Sequence, residues 1–147
     1  MKLAAGLKKR SDLVKELRTI ESSISNGLII QQGQEQSEDI DALYKTYFDK
    51  SKELSDLIMK INETNNNIQN GVRISDLIHE ISSIKNEISF VNDILKAGKE
   101  KSLSSKDEIR FVSTIDRNQY TTKLNSLKEK SQNLEIKLQE LNWQIDI

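Results

Sequence analysis

The sequence predicts a mainly α fold: four long helices in an antiparallel bundle or coiled coil, with a short two-stranded β-ribbon. Three observations carry this. Proline is absent from all 147 residues, so nothing forces a kink into a long helix. Apolar residues return at three- and four-residue steps through four separate stretches. Hydrophobic residues make up 35% and charged residues 31%, an amphipathic balance and not that of a disordered chain. The length suits one domain, so residues 1–147 are expected to form a single helical-bundle domain.

The first helix is expected from about Lys2. Leu3, Leu7, Val14, Leu17 and Ile24 form its stripe, widened by Leu13 and Ile20, with Arg10 and Glu21 also on the seam. Asn26-Gly27 should stop it, with Gly27 as a left-handed C-cap. The second helix should open on Ser37 as N-cap, with Glu38, Asp39 and Asp41 in its first turn, where the helix dipole favours acids. Its seam reads Ile40, Tyr44, Tyr47, Ser51, Leu54, Ile58, Ile61, Asn65, Ile68, in heptad steps. The segment NNNIQNG, 65–71, should fray and end it.

The third helix is expected over Ile74 to Ala97, with Ile74, Ile78, Ile81, Ile84, Ile88, Val91 and Leu95 on its face and Gly98 as its stop. A basic loop, GKEKSLSSK, follows. The fourth helix should start at Asp116, an N-cap with Gln119 three residues on. Its seam is the cleanest of the four: Tyr120, Leu124, Leu127, Ser131, Leu134, Leu138, Leu141, Ile145. At 1.5 Å per residue each helix is about 35–45 Å long. Matched lengths favour antiparallel neighbours in a bundle, and two long hairpins that dimerise fit as well.

Two apolar runs break the helical rhythm. One is Leu28-Ile29-Ile30; the other is EIRFV, where Ile109 and Phe111 would point to one side of an extended chain. Pairing them gives the ribbon, about 28–31 with 108–112. The alternative is an irregular loop that plugs the bundle with Ile109 and Phe111. An isolated two-stranded ribbon is marginal, so it would need helix ends or another subunit to lie on.

Several stretches together resemble the small bacterial proteins labelled septicolysin-like. These are MKLAAGLKKRSDL at the start, SEDID, INETN, EIRFVSTID, and LNW at 141–143. The resemblance spans nearly the whole chain, with EIRFV followed by ID, and the terminal NW, its most specific part. It implies a helical coiled-coil protein without an assigned activity. Members commonly carry proline near the positions of Ser37 and Ser113, where this chain has serine. The label suggests a cytolysin, but thiol-activated cytolysins are far larger, β-rich and carry a cysteine motif. This chain has no cysteine, so the fold expectation is carried over and the lytic name is not.

The absence of cysteine also removes disulfides, thiolate metal sites and cysteine nucleophiles. It fits a reducing, cytoplasmic setting. The start, MKLAAGLKKR, lacks the order of a secretory signal: its apolar part is too short and precedes the basic cluster. No stretch approaches the roughly 18 uninterrupted apolar residues of a membrane span. His79 is the single histidine, three residues after Asp76, which is too few for a di-iron bundle site within one chain. There is no nucleophile elbow and no glycine-rich phosphate loop. No metal or cofactor is therefore expected.

Net charge is −1. Residues 1–18 are locally basic: six bases against Asp12 and Glu16 leave +4. No aromatic residues interleave with those lysines, so a solvated helix face is favoured over a nucleic-acid surface.

Two kinds of function stay open. A structural or protein-interaction role, with a homo-oligomer, follows from extended seams plus extra apolar positions such as Leu43, Leu57 and Leu77, which one small bundle would struggle to cover. Alternatively, Asn62, Asn65, Arg110 and Asp116 meet at one bundle end, where Arg110 could grip a carboxylate or phosphate of a small ligand. Trp143 would anchor packing or an interface. Caps, ion pairs and seam polarity account for the same residues without a ligand.

Overall fold

The structure is a computed structural model that describes residues 1–100 and 109–147. Its fold class is the expected one: mainly α, with four long helices and a two-stranded antiparallel ribbon. The elements are α1 (Leu3–Gly27), α2 (Ile40–Asn66), β1 (Ile68–Gln69), β2 (Val72–Arg73), α3 (Ile74–Ala97) and α4 (Arg117–Gln144). Among the described residues, no helix is long and apolar enough to cross a membrane.

The chain divides into two compact units. The first holds Met1–Ile74 and Leu141–Ile147; the second holds Ser75–Glu140. In the first, α1 and α2 form an antiparallel hairpin. Lys9 pairs with Glu53 at 2.6 Å, Lys50 with Glu16 at 2.5 Å, and the Tyr47 hydroxyl donates to Glu21 at 2.9 Å, so partners ascend one helix as they descend the other. The two ends of the sequence close on each other in this unit. Leu3 N donates to Ile145 O at 2.9 Å and Ile147 N to Met1 O at 2.8 Å. In the second unit α3 and α4 also run antiparallel. Arg117 at the start of α4 donates to the Leu95 carbonyl at 2.6 Å, and Glu80–Lys130 and Lys85–Glu135 link the helices further along.

The buried faces are heptads: on α2 every second covered position lies one residue before the expected one, on α3 Leu77 takes the place of Ile78, and the other expected positions within both helices hold. On α2 the covered side runs Ile40, Leu43, Tyr47, Lys50, Leu54, Leu57, Ile61, Thr64. Tyr44 is exposed and Ile58 borders on exposure, while Leu57 and Ile61 are buried. On α3, Leu77 is buried and Ile78 stands in solvent. Leu43 and Tyr44, Leu57 and Ile58, and Leu77 and Ile78 are all apolar in the sequence, and only the line of the neighbouring helix chooses within each pair. Leu57 and Leu77, read from the sequence as surplus apolar positions, are therefore core residues. On α1, Leu13 belongs to the seam and Gly6 joins it, while Arg10 and Glu21 are exposed. On α4 the expected seam holds, down to the buried Ser131. The most deeply buried side chains are Leu3, Ile61 and Ile74. Each contributes about 1.5–3 kcal/mol relative to an exposed position.

The ribbon lies elsewhere than expected. Ile68 pairs with Arg73 and Gln69 with Val72. The turn between them is Asn70-Gly71, with φ of 51° and 79°. Two successive positive φ values make a type I′ turn, whose twist suits a two-residue hairpin and which Asn-Gly favours above other pairs. Residues 65–71 thus do more than end α2; their last four begin the ribbon. Residues 28–31 and 109–112 are in no strand, and Glu108 lies outside the described residues, as do Lys101 and Lys106 of the basic loop.

Helix ends differ in detail too. Asp39, not Ser37, caps α2, accepting from Ala42 N at 3.1 Å. Gly27 is the last helical residue, and the residue after it, Leu28, stays right-handed. A Cβ on Gly27 would lie 2.8 Å from Ile40 Cδ1, so the absence of a side chain permits a close approach and not a left-handed turn. Asp116 caps α4 as expected, its Oδ1 accepting from Asn118 N at 3.0 Å and Gln119 N at 3.4 Å.

Candidate interaction surfaces

The five residues singled out from the sequence fall in different units. Asn62, Asn65 and Trp143 belong to the first unit, Arg110 and Asp116 to the second. Asn62 is exposed on α2; Asn65, the last residue but one of the helix, is half-buried. Trp143 is 67% exposed on the last turn of α4. Its indole therefore contributes little to packing within the chain and is available as surface. Arg110 is exposed in the connection before α4. Asp116 is occupied as a helix cap, which accounts for its carboxylate without a ligand.

The flank of the first hairpin concentrates charge, and the charge is self-neutralised. A groove between α1 and α2 is lined by Lys8, Lys9, Asp12, Glu16, Lys50 and Glu53. Each pairs within the set: Lys8 with Asp12, Lys9 with Glu53, Lys50 with Glu16. The basic cluster near the start of the sequence is thus largely answered by acids of α1 and α2. The hydrogen bond from Lys9, with its charge, holds the Glu53 carboxyl below the usual carboxylate range. Lys50 is held above the usual lysine value by its bond to Glu16. The Glu21 carboxylate, accepting from the Tyr47 phenol, raises that phenol's pKa, because ionising it would remove the donor and oppose two negative charges. At the joined ends, Lys2 donates to Asp146 at 2.8 Å and lowers the pKa of that carboxyl. All these groups are solvent-facing, so they orient the helices more than they stabilise them.

His79 sits exposed on α3 beside Ile78. Among the described residues, no group of three His, Asp or Glu side chains is placed to hold a metal ion.

Large apolar side chains left in water are the second surface feature. At the α1–α2 connection, Leu28, Ile29 and Ile30 are 63%, 90% and 45% exposed, with Tyr44 and Phe48 exposed on the first turns of α2. At the α3–α4 connection, Ile109, Phe111 and Val112 are each at least 65% exposed. Beside them is an open cleft of about 200 Å3 lined by residues 97–100 and 111–114. Single exposed apolar side chains are common on any protein surface, but three consecutive ones, as at Leu28–Ile30, are not.

Residues 10–147 match the profile of a family described as "Family of unknown function (DUF6847)". The chain belongs to this family. No curated protein matches it. Among solved structures, the DUF6847 chain is similar to one described as a functionally unknown conserved protein from Corynebacterium diphtheriae. That similarity has a TM-score of 0.85 at 20% sequence identity and covers 98% of this chain and 96% of that one. At such identity it shows a shared fold.

Proposed function

We propose that this DUF6847 chain is a non-enzymatic protein-interaction module that self-associates, working in the cytoplasm. One observation supports the reading above others. The charged hairpin flanks satisfy themselves through ion pairs, while the apolar runs at both helix connections stand in water. An exposed, contiguous apolar patch is the ordinary mark of a macromolecular contact. Sequestering it between copies would remove it from solvent without new chemistry. The likeness to septicolysin-like proteins is kept as part of this proposal only for the helical coiled-coil character it implies, without an assigned activity.

The test is sedimentation velocity over a concentration series. Species larger than one chain are expected by about 50 µM, growing by mass action with concentration. A single monomeric boundary throughout would sink the reading. Arg110→Ala separates it from a ligand-binding role. In the proposed role the variant keeps its helical spectrum and its response to small molecules in thermal-shift screening is that of the unaltered chain. A stabilising ligand that the variant loses would favour the polar residues over the apolar ones.

A further inference from the structure

The two apolar connections differ in charge and shape, and the differences are complementary. Residues 28–41 contain Glu35, Glu38, Asp39 and Asp41 and no basic residue. All four acids are exposed. Among the described residues of the other connection, 96–100 and 109–117, Lys96, Lys99, Arg110 and Arg117 outnumber Glu100 and Asp116. These four basic residues are exposed as well. In shape, the first connection is a projection: Ile29 is 90% exposed and joins no helix or ladder. The second carries a recess, the cleft of about 200 Å3 between residues 97–100 and 111–114. That is several times the ~30 Å3 share of one water molecule, room enough for aliphatic side chains.

We infer that the Leu28–Ile30 projection of one copy docks into the cleft beside Phe111 and Val112 of a second copy, with the acids of 35–41 facing Lys96, Lys99 and Arg110. The inference rests on the self-association proposed above and names its surface. The contact joins two different patches, so it is heterologous. Such contacts build rings when the rotation closes and open chains when it does not. β-branched residues in both runs suit a short inter-chain strand pairing, and among the described residues neither run is part of a strand. The charges set which run meets which: like connections would bring acids against acids, unlike ones bring acids against bases.

Two exposed-site variants test this. Ile29→Glu removes the projection and Val112→Glu spoils the cleft; both positions are in solvent, and circular dichroism verifies that the helices persist. Each variant alone should be monomeric where the unaltered chain associates, a loss of at least about tenfold in apparent affinity. Mixed together, they should form a one-to-one complex, because each supplies the half the other lacks. Association of the unaltered chain should weaken as salt rises from about 0.05 to about 0.5 M, since the facing charges are exposed.

If Ile29→Glu associates like the unaltered chain, this docking surface is wrong while self-association stands. If Val112→Glu still associates but Ile29→Glu does not, like connections pair and the inference falls. If the unaltered chain itself is monomeric, self-association falls with it. Co-sedimentation of the unaltered chain with phosphatidylcholine or phosphatidylserine vesicles, lost in Ile29→Glu, would assign the projection to a lipid surface and overturn the second copy as its occupant.

Discussion

The Ile68–Arg73 ribbon, mostly polar, and the pair of apolar runs at 28–30 and 109–112 have opposite outcomes. All three stretches are short, β-compatible and flanked by helices. Among the described residues, only the first makes a ladder. The difference is the cost of closure. Asn70-Gly71 brings Gln69 beside Val72 across two residues in a turn whose positive φ values those two residues tolerate. Joining 28–31 to 108–112 would require nearly eighty intervening residues to place the strands together, and two isolated strands return little for it. Local chemistry therefore decided where the ribbon formed, and the longer apolar runs stayed in water.

The isoleucines next to these segments give the largest expected contrast. Ile74, which follows β2 directly, is 1% exposed, and Ile29 is 90% exposed. Ile74→Ala should cost about 2–5 kcal/mol, by the lost transfer energy and the cavity left behind. A urea titration with an unchanged slope and a midpoint shifted by that amount would show it. A shift below half the lower bound would mean that this site relaxes to fill its void.

Gly71→Ala comes next. The residue keeps φ at +79° and has nothing within 4 Å of an added Cβ, so the cost is conformational and not steric. About 1–2 kcal/mol is expected for an L-residue held left-handed. Asparagine at the same position should recover part of it. Equal losses for alanine and asparagine would show that φ is not what the turn requires.

Acid and base should produce smaller changes, with opposite signs for different pairs. Glu53 and Asp146 have lowered folded pKa values, through bonds from Lys9 and Lys2. Their contribution is present above the unfolded carboxylate pKa and is lost as pH falls through the lowered folded one. Lys50 has a raised value through Glu16. Its contribution is complete below the unfolded lysine pKa and is lost as pH rises through the raised folded one. The thermal midpoint should thus be flat through neutrality and decline modestly at both extremes. High salt should reduce these pair contributions, because the groups are exposed. A sharp dependence near neutral pH would point to a different titrating group.

The smallest stability effect is expected at Ile29. Ile29→Ser should leave the thermal midpoint of the dilute protein nearly unchanged, within about 0.5 kcal/mol. A loss like that of Ile74→Ala would mean that Ile29 packs against its own chain.

How far the sequence could be read varied with how many answers each pattern allowed. On α4 one seam is apolar and its alternatives are polar, so Leu124 to Ile145 read without ambiguity. On α2 and α3, Tyr44 competed with Leu43, Ile58 with Leu57, and Ile78 with Leu77, all chemically fit for a core. The Asn-Gly pair at 70–71 was a strong hairpin signal within the sequence itself, masked by the polar run Asn65 to Asn67 before it. The expected grouping of Asn62, Asn65, Arg110 and Asp116 depended on long-range placement, which periodicity does not encode. The structure puts the first two in one unit and the last two in the other.

The sequence by itself determined the helices, their approximate lengths and the Asp116 cap. These depend on residues three or four apart, whose spacing is built into the backbone period. The tertiary structure decided between Leu43 and Tyr44 and between Leu57 and Ile58 on α2 and between Leu77 and Ile78 on α3, why Gly27 lacks a side chain, and that Leu28–Ile30 and Ile109–Val112 remain exposed. Those outcomes depend on where a neighbouring segment lies, and a burial choice between equally apolar faces is made only when that neighbour is in place.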